Sequence, residues 1–255
     1  MSQTIKTVSF SRMTDFEKCK YLAKLKYVDR VPEPERPLPP GKTEHANDRG
    51  SRIHEAAELF VRGGVELLRE LEDFREDFEE LRRLHEEGCV ILEGEWAVDA
   101  GWTPVAWNSS DAWCRMKLDA YVETSPETAR VIDYKTGRRQ GNEVKHTEQG
   151  QIYQLATFLR FPNLQHITVE FWYTDLGEKD IKQYSRVQGA AYFDKYHKRL
   201  SAVTECDDFS PNPNAFSCKW CPYRGNACEY GVSGVPSGKA AAARIKAIRK
   251  QNSYA

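Results

Sequence analysis

An α/β fold with a mixed central sheet is predicted by a change of hydrophobic period and by the order of elements that follows it. Up to residue 88 the apolar positions recur at spacings of 3 and 4, as in helices. From residue 89 the chain turns to short runs rich in β-branched and aromatic residues, which read as strands. Helices, three strands, a helix, two strands and a final helix together predict a mixed sheet flanked by helices.

The elements follow in order. Ser11 is the expected N-cap of a first helix, RMTDFEKCKYLAKLKYV, with Met13, Phe16, Leu22 and Leu25 on one side and Cys19 within it. VPEPERPLPPG cannot be helical because proline lacks the backbone donor and fixes φ. A second helix should start near Asn47 or Asp48 and end at Gly63-Gly64. A third, ELLRELEDFREDFEELRRLHEEG, places Leu67, Leu71, Phe74, Phe78 and Leu81 on one face and charge on the other. CVILEGEWAV, AWCRMKLDAYVE and ARVIDYKTG are the three strands, and HTEQGQIYQLATFLRF is the next helix. HITVEFWYT and KDIKQYSRV form two further strands around Asp175-Leu176-Gly177, before a helix at 189–205. The resulting division is a helical region at 1–88, a core at 89–205, a cysteine-rich segment at 206–230 and a basic, flexible tail at 231–255.

Composition narrows the function classes. A chain of 255 residues, 40% hydrophobic and 29% charged, can bury a sizeable core. No apolar run approaches the roughly 18 residues of a membrane span. MSQTIKTVSFSR lacks the apolar core of a signal peptide, so the expected location is cytoplasmic and no membrane partner is expected. With a net charge of −1, any binding to nucleic acid must use a local basic surface. Seven cysteines without a signal peptide argue against a disulfide framework.

The strand VIDYKTG raises the chemical question. Asp133 and Lys135 share one face of a strand that ends at Thr136-Gly137. Asp119 interrupts the preceding strand, and antiparallel pairing of the two strands would let both carboxylates meet. Paired carboxylates hold a hard divalent ion, which lowers the pKa of a bound water, and a lysine can orient that water and stabilise developing charge. Taken alone, an Asp-x-Lys is more often a structural ion pair. Likewise His54, among Ile53, Ala56, Ala57 and Phe60, would ordinarily be a packed or surface residue. Gln149 and Tyr153 lie one turn apart on a helix, and Glu95 reads as a supporting carboxylate or a solvent-facing strand residue.

Taken together, LDAYVE, VIDYKTG and EQGQIYQLA resemble the motifs of the PD-(D/E)XK nucleases, in particular the RecB-like exonuclease group. The resemblance implies a restriction-endonuclease-like core and spans about residues 9 to 230. It makes Asp119, Asp133 and Lys135 the catalytic set. It implies Mg²⁺ or Mn²⁺ held by His54, in the Gly50-x-x-x-His54 context, with Asp119, Asp133 and the Tyr134 carbonyl. Gln149 and Tyr153 match the Q-x-x-x-Y element as supporting or substrate-binding residues. Met116 stands where the family often has glycine, and Lys20 where proline often follows the first cysteine; neither change removes a ligand.

Cys218-x2-Cys221-x6-Cys228 is a metal-binding pattern short of one ligand. By the residues alone, zinc is the natural occupant. Stand-alone CRISPR-associated and phage-type RecB-like nucleases, and AddB subunits, pair one N-terminal with three C-terminal cysteines around a [4Fe–4S] cluster. FEKCKYLAKLKY and FSCKWCPYRGNAC resemble both ends of that arrangement, which implies Cys19, Cys218, Cys221 and Cys228 as ligands. Cys89 and Cys114 read as buried strand residues.

The expected substrate is DNA, as single strands or ends, with Lys135, Arg138, Arg139 and Lys145 clustered after the catalytic strand and Arg138 and Arg139 as phosphate contacts. Trp102, Trp107 and Trp113 would either stack on bases or pack a hairpin. The implied activity is exonucleolytic hydrolysis in recombination, repair, phage DNA processing or CRISPR adaptation. No helicase motif is present, so a helicase or recombination partner would be a separate chain. Two alternatives stay open at this point: a DNA-end binding adaptor on a nuclease scaffold, and a zinc-stabilised interaction module.

Overall fold

The computed structural model describes residues 4–35 and 37–232. The basic tail therefore lies, from residue 233 onward, outside the described residues. The chain divides into two compact units, Leu38–Arg199 and Met1–Pro37 with Leu200–Ala255.

In Leu38–Arg199, six strands form one sheet. They are β1 (Val90–Val98), β2 (Pro104–Val105), β3 (Cys114–Ser125), β4 (Thr128–Lys135), β5 (His166–Tyr173) and β6 (Glu178–Ser185), in the spatial order β2-β1-β3-β4-β5-β6. The β4–β5 pair is parallel and the others are antiparallel. Parallel neighbours need a crossover, and helix α5 (Glu143–Arg160) supplies it. This is the mixed, helix-flanked sheet expected of a restriction-endonuclease-like core.

Helices α3 (Ala46–Val61) and α4 (Arg75–Glu86) bury their apolar stripes against Leu92, Ala120, Ile132, Tyr134 and Trp172. Phe74 stacks on Trp172, with ring centroids 5.4 Å apart. Phe78 and Leu81 are fully buried, so the charged outer face of α4 follows directly from its period. Three boundaries differ from expectation. The third helix is broken into a 3-10 segment, Arg69–Phe74, and α4. The two-residue β2 is not among the expected strands, since two residues carry no period. The helix expected at 189–205 is split into α6 (Arg186–Ala190), with a Ser185 capping box, and α7 (Phe193–Thr204).

The other unit contains α1 (Phe10–Lys18), α2 (Lys20–Ala23), a π-helical turn at Lys24–Val28, and α8 (Ala215–Lys219). Ser9, rather than Ser11, caps α1: its backbone is extended and its hydroxyl accepts from Arg12 N–H at 3.3 Å. Cys19 does not continue the helix as expected but interrupts it, with extended backbone at φ −165°. Leu22, Leu25 and Tyr223 form a small core beside the cysteines.

Among the described residues, no helix is long and apolar enough to cross a membrane.

Candidate active site

The β3–β4 register places Ala120 opposite Ile132, so one step further Asp119 faces Asp133. The two carboxylates meet at the end of the paired strands, where the ladder gives way. Asp119 Oδ2 accepts the backbone N–H of Tyr134 at 2.5 Å, an interaction that ties the two strands together through the site itself. Asp119 and Asp133 are both buried. Burial, followed by the neighbouring Asp133 charge, raises the pKa of Asp119.

His54 comes from α3 and lies 2.9 Å from Asp119 Oδ1 through Nδ1. Gly50, one turn earlier, explains the approach: a Cβ there would stand 3.1 Å from Thr136 Oγ1, just past β4. Burial works against the charged imidazole, but the Asp119 hydrogen bond and the Asp119 and Asp133 charges outweigh it, so the His54 pKa is raised.

Lys135 ion-pairs with Asp133 and donates to Gln149 Oε1 at 2.9 Å. Gln149 Nε2 donates to the Tyr153 hydroxyl at 2.6 Å. That hydroxyl in turn faces two acceptors, the Lys117 carbonyl at 3.0 Å and Asp133 Oδ1 at 3.1 Å. Burial, with the Asp133 and Asp119 charges, pushes the Tyr153 pKa well up and keeps the phenol a donor. The one-turn spacing of Gln149 and Tyr153 thus lets α5 hold both members of the Asp-x-Lys pair.

The cleft is lined by Glu55, Glu58, Glu93, Asp119 and Asp133 against Lys117 and Lys135, with His54 alongside. Five carboxylates facing two ammonium groups would repel a phosphodiester unless a cation offset them. Asp133 Oδ2 is buried and, apart from the Lys135 ion pair, has no hydrogen-bond donor. Oxygen donors with one imidazole suit Mg²⁺ or Mn²⁺. The residues therefore fit a hard divalent ion.

Sequence reasoning passed over Glu93. It lies with His54 and Asp119 in a group whose ligand atoms are all within 4.8 Å of one another. Glu95 was the singled-out carboxylate of this strand, but it is exposed. Residues two apart share a strand face, so composition cannot choose between them. The register chooses: Gly94 pairs with Leu118, which sets Glu93 opposite Asp119.

The basic residues after β4 are divided. Arg138 and Lys145 are exposed, whereas Arg139 is paired with Glu178 at 2.9 Å. The tryptophans are not a stacking surface. Trp102 and Trp113 are buried edge to face with centroids 5.7 Å apart, and Trp102 Nε1 donates to His197 at 3.1 Å. Trp107 is half-buried, with the Arg115 guanidinium 5.2 Å from its ring centroid. These rings pack the β1–β3 connection.

In the unit containing both chain termini, Cys19, Cys218, Cys221 and Cys228 line one cavity. Asn214 caps α8 by accepting from Ser217 N–H at 2.8 Å, which sets Cys218 in place. Cys221 N–H donates to the Cys218 carbonyl at 3.2 Å, and Cys228 N–H to the Tyr223 carbonyl at 2.9 Å. Burial and then the proximity of Cys221 and Cys19 raise the Cys228 thiol; burial, with Cys19 and Cys218 nearby, raises Cys221. Crowded thiols of this kind are relieved by a bound metal centre, and the set fits one. Cys206 instead donates to the Asp208 carbonyl at 3.1 Å. Buried Cys114 has its thiol pushed up to about 12, whereas Cys89 is only half-buried and precedes its strand.

Similar proteins were found by family and by structure, though no curated protein matches. In structure the chain is similar to SSO0001, with 14% identity over 89% of this chain and 88% of the other, at a TM-score of 0.45. It is also similar to LHK-Exo, an alkaline exonuclease from Laribacter hongkongensis, with 14% identity over 78% and 86% at a TM-score of 0.30. A phage-related exonuclease from Haemophilus somnus 129PT gives 13% identity over 73% and 91%, at a TM-score of 0.29. The family model that matches describes the PD-(D/E)XK nuclease superfamily and extends over residues 7–229, including every residue of the cleft and all four cavity cysteines. The chain belongs to the PD-(D/E)XK nuclease superfamily.

Proposed function

We propose that this nuclease hydrolyses DNA as an exonuclease on single strands or ends. His54, Asp119, Asp133 and the Tyr134 carbonyl hold Mg²⁺ or Mn²⁺, and Lys135 positions the attacking water. The observation that carries this reading is the opposed Asp119–Asp133 pair with Lys135 fixed beside it by Gln149. The ion, when bound, supplies a water of lowered pKa and positive charge beside the scissile phosphate.

The protein's own groups do the rest. The reaction forms a P–O bond to water and breaks one P–O ester bond. The Lys135 ammonium, held between Asp133 and Gln149, faces the same cleft and can orient the water and balance charge developing on the phosphoryl oxygens. Gln149 and Tyr153 restrain the two reactive side chains, which limits the entropy lost on reaching the reactive geometry. Arg138, Arg139 and Lys145 supply phosphate contacts beyond the cleft.

In this reading residues 89–205 are the nuclease core, residues 1–88 contribute Cys19 and His54, and residues 206–230 supply the other three cysteines. Those four cysteines hold a [4Fe–4S] cluster with a structural role. Support comes from their shared cavity and from the likeness of both cysteine segments to cluster-bearing RecB-like nucleases. Iron and acid-labile sulfide in anaerobically purified protein, lost in Cys221→Ser, are the expected result; stoichiometric zinc would replace the cluster with a zinc site.

The deciding experiment is degradation of end-labelled single- and double-stranded DNA with Mg²⁺, Mn²⁺ or EDTA, by wild type and Asp133→Ala. Metal-dependent cleavage should vanish in the variant, and the position of the label gives the polarity. Equal cleavage by both proteins sinks the assignment.

A further inference from the structure

Glu93 and Lys117 line the cleft but have no part in the mechanism above. Glu93 sits on β1 opposite Asp119, with φ +51°, a backbone region that non-glycine residues seldom occupy inside a strand. Its carboxylate lies within 4.8 Å of ligand atoms of His54 and Asp119. Ligands of an octahedral Mg²⁺ or Mn²⁺ stand about 3 Å apart when adjacent and about 4 Å apart when opposite; His54 and Asp119 already meet the adjacent spacing at 2.9 Å, so a shift of the Glu93 carboxylate by roughly 1–2 Å would let all three reach one ion. Three elements deliver these groups: α3, β1 and β3.

Glu93 is not free. Its carboxylate is bound by Lys117 Nζ at 2.5 Å. The Lys117 side chain is 54% exposed and that of Glu93 only 19%, so the lysine reaches in from the open side of the cleft. Lys117 is also held at its backbone, where its carbonyl faces the Tyr153 hydroxyl at 3.0 Å. A cation entering between His54, Glu93 and Asp119 would compete directly with the ammonium for the same carboxylate. Displaced, the ammonium would remain on the cleft lip on its four-carbon stem, where an incoming phosphodiester would compete for it with Glu95, its cross-strand neighbour on β1.

We infer that Glu93 is a further ligand of the divalent ion and that Lys117 is its exchangeable partner, passing from Glu93 to a substrate phosphate when the ion binds. This rests on the nuclease reading and deepens it, since it links metal occupancy to substrate affinity. An enzyme built this way holds its phosphate-binding lysine out of use until the ion that makes the chemistry feasible is in place. Glu93 then acts on the ion, and Lys117 acts on the substrate.

The test uses the full chain purified anaerobically, with Mn²⁺ titrated by calorimetry in the absence of DNA. Glu93→Gln should weaken Mn²⁺ binding about tenfold, a loss in the range expected when a group that holds or orients a metal ligand is removed. Lys117→Met should strengthen Mn²⁺ binding several-fold, because the competing cation is gone. With DNA at saturating Mn²⁺, the same Lys117→Met protein should show a raised KM with kcat nearly kept. Glu123→Gln, an exposed change on β3 outside the cleft, controls for general charge, and thermal unfolding of each variant controls for folding.

Asp119→Ala separates the two levels of the claim. If it abolishes Mn²⁺ binding while Glu93→Gln leaves binding intact, the Glu93 assignment is wrong and the nuclease site stands. If Asp119→Ala also leaves binding intact, the site itself has been misread. Unchanged KM in Lys117→Met overturns the transfer to phosphate.

Discussion

The ammonium of Lys135 and the side-chain carbonyl of Gln149 are joined by a 2.9 Å hydrogen bond from β4 to α5. The lysine is also paired with Asp133, so its head group is fixed from two directions. Removing the amide should leave the ion-binding carboxylates in place and free the lysine. Gln149→Ala is expected to lower kcat by about 10- to 100-fold, a typical cost of losing alignment. Mn²⁺ affinity should change little. A fall in Mn²⁺ affinity as large as the fall in kcat would show that Gln149 acts mainly on the carboxylates.

Asp119 is a buried carboxylate beside another, and its pKa is raised by burial and then by Asp133. A raised carboxylate pKa means that the folded state binds its proton more tightly than the unfolded state. Metal-free stability is therefore greatest below the unfolded pKa and declines as pH climbs through the folded value. Asp119→Asn removes that ionisation. At pH 8 and without metal the variant should unfold at a higher temperature than wild type, by an amount on the order of 1 kcal/mol in stability. Added Mn²⁺ should raise the wild-type midpoint and leave that of the variant where it was. Differential scanning calorimetry reads both.

His146 behaves in the opposite sense. It is buried on α5, stacked on Phe171, with Nδ1 2.8 Å from the Tyr173 hydroxyl. Burial, followed by the Lys135 charge, lowers its pKa to about 4. The unfolded chain then takes up a proton that the folded chain refuses. Stability is full above the unfolded pKa of about 6.5 and is lost as pH falls towards 4. Comparison of wild type with His146→Gln between pH 7 and 4 should show the steeper loss in wild type, by roughly 2 kcal/mol. Parallel curves would mean that His146 contributes nothing to the acid sensitivity.

Gly189 in α6 is a packing position. A Cβ there would come within 2.2 Å of Gln154 Oε1 and 2.7 Å of the Phe158 ring. Both neighbours are buried, so neither can yield freely. Gly189→Ala should cost about 1–3 kcal/mol by overpacking, measured by urea unfolding. Nuclease activity of the folded fraction should persist, since no cleft residue is touched.

Cys19 ties its segment to the C-terminal cysteines around one cavity. Loss of one thiolate from a four-ligand centre should release the metal. Cys19→Ser is expected to lose visible absorbance and iron together and to lower the unfolding midpoint. Full iron content in this variant would exclude Cys19 as a ligand.

Much of this molecule is legible in its sequence. Hydrophobic period marks the faces of α3, α4 and the strands, and the apolar residues it selects, such as Phe78 and Leu81, are buried. Asp119 and Asp133 stand out because a carboxylate in a core strand needs a reason. Caps and breaks were harder to read: Ser9 and Ser11 are equivalent by type, and only the chain path decides which meets the Arg12 amide. Cys19 carries no local signal for ending a helix, so its extended backbone comes from tertiary context. The tryptophans have both a binding and a packing use by composition, and burial assigns them to packing.

The sequence by itself determined the α/β class, the Asp119, Asp133 and Lys135 candidates on β3 and β4, and a Cys218-Cys221-Cys228 pattern short of one ligand, because period and residue chemistry are local properties; Gln149, Tyr153 and Cys19 entered through the resemblance of their motifs to the family. Only the tertiary structure decided that Glu93 and not Glu95 faces Asp119, that Gln149 holds Lys135, and that Lys117 binds Glu93. Those relationships depend on strand register and helix approach. A two-residue shift in register would set Glu95 where Glu93 stands, and nothing local to the residues forbids it.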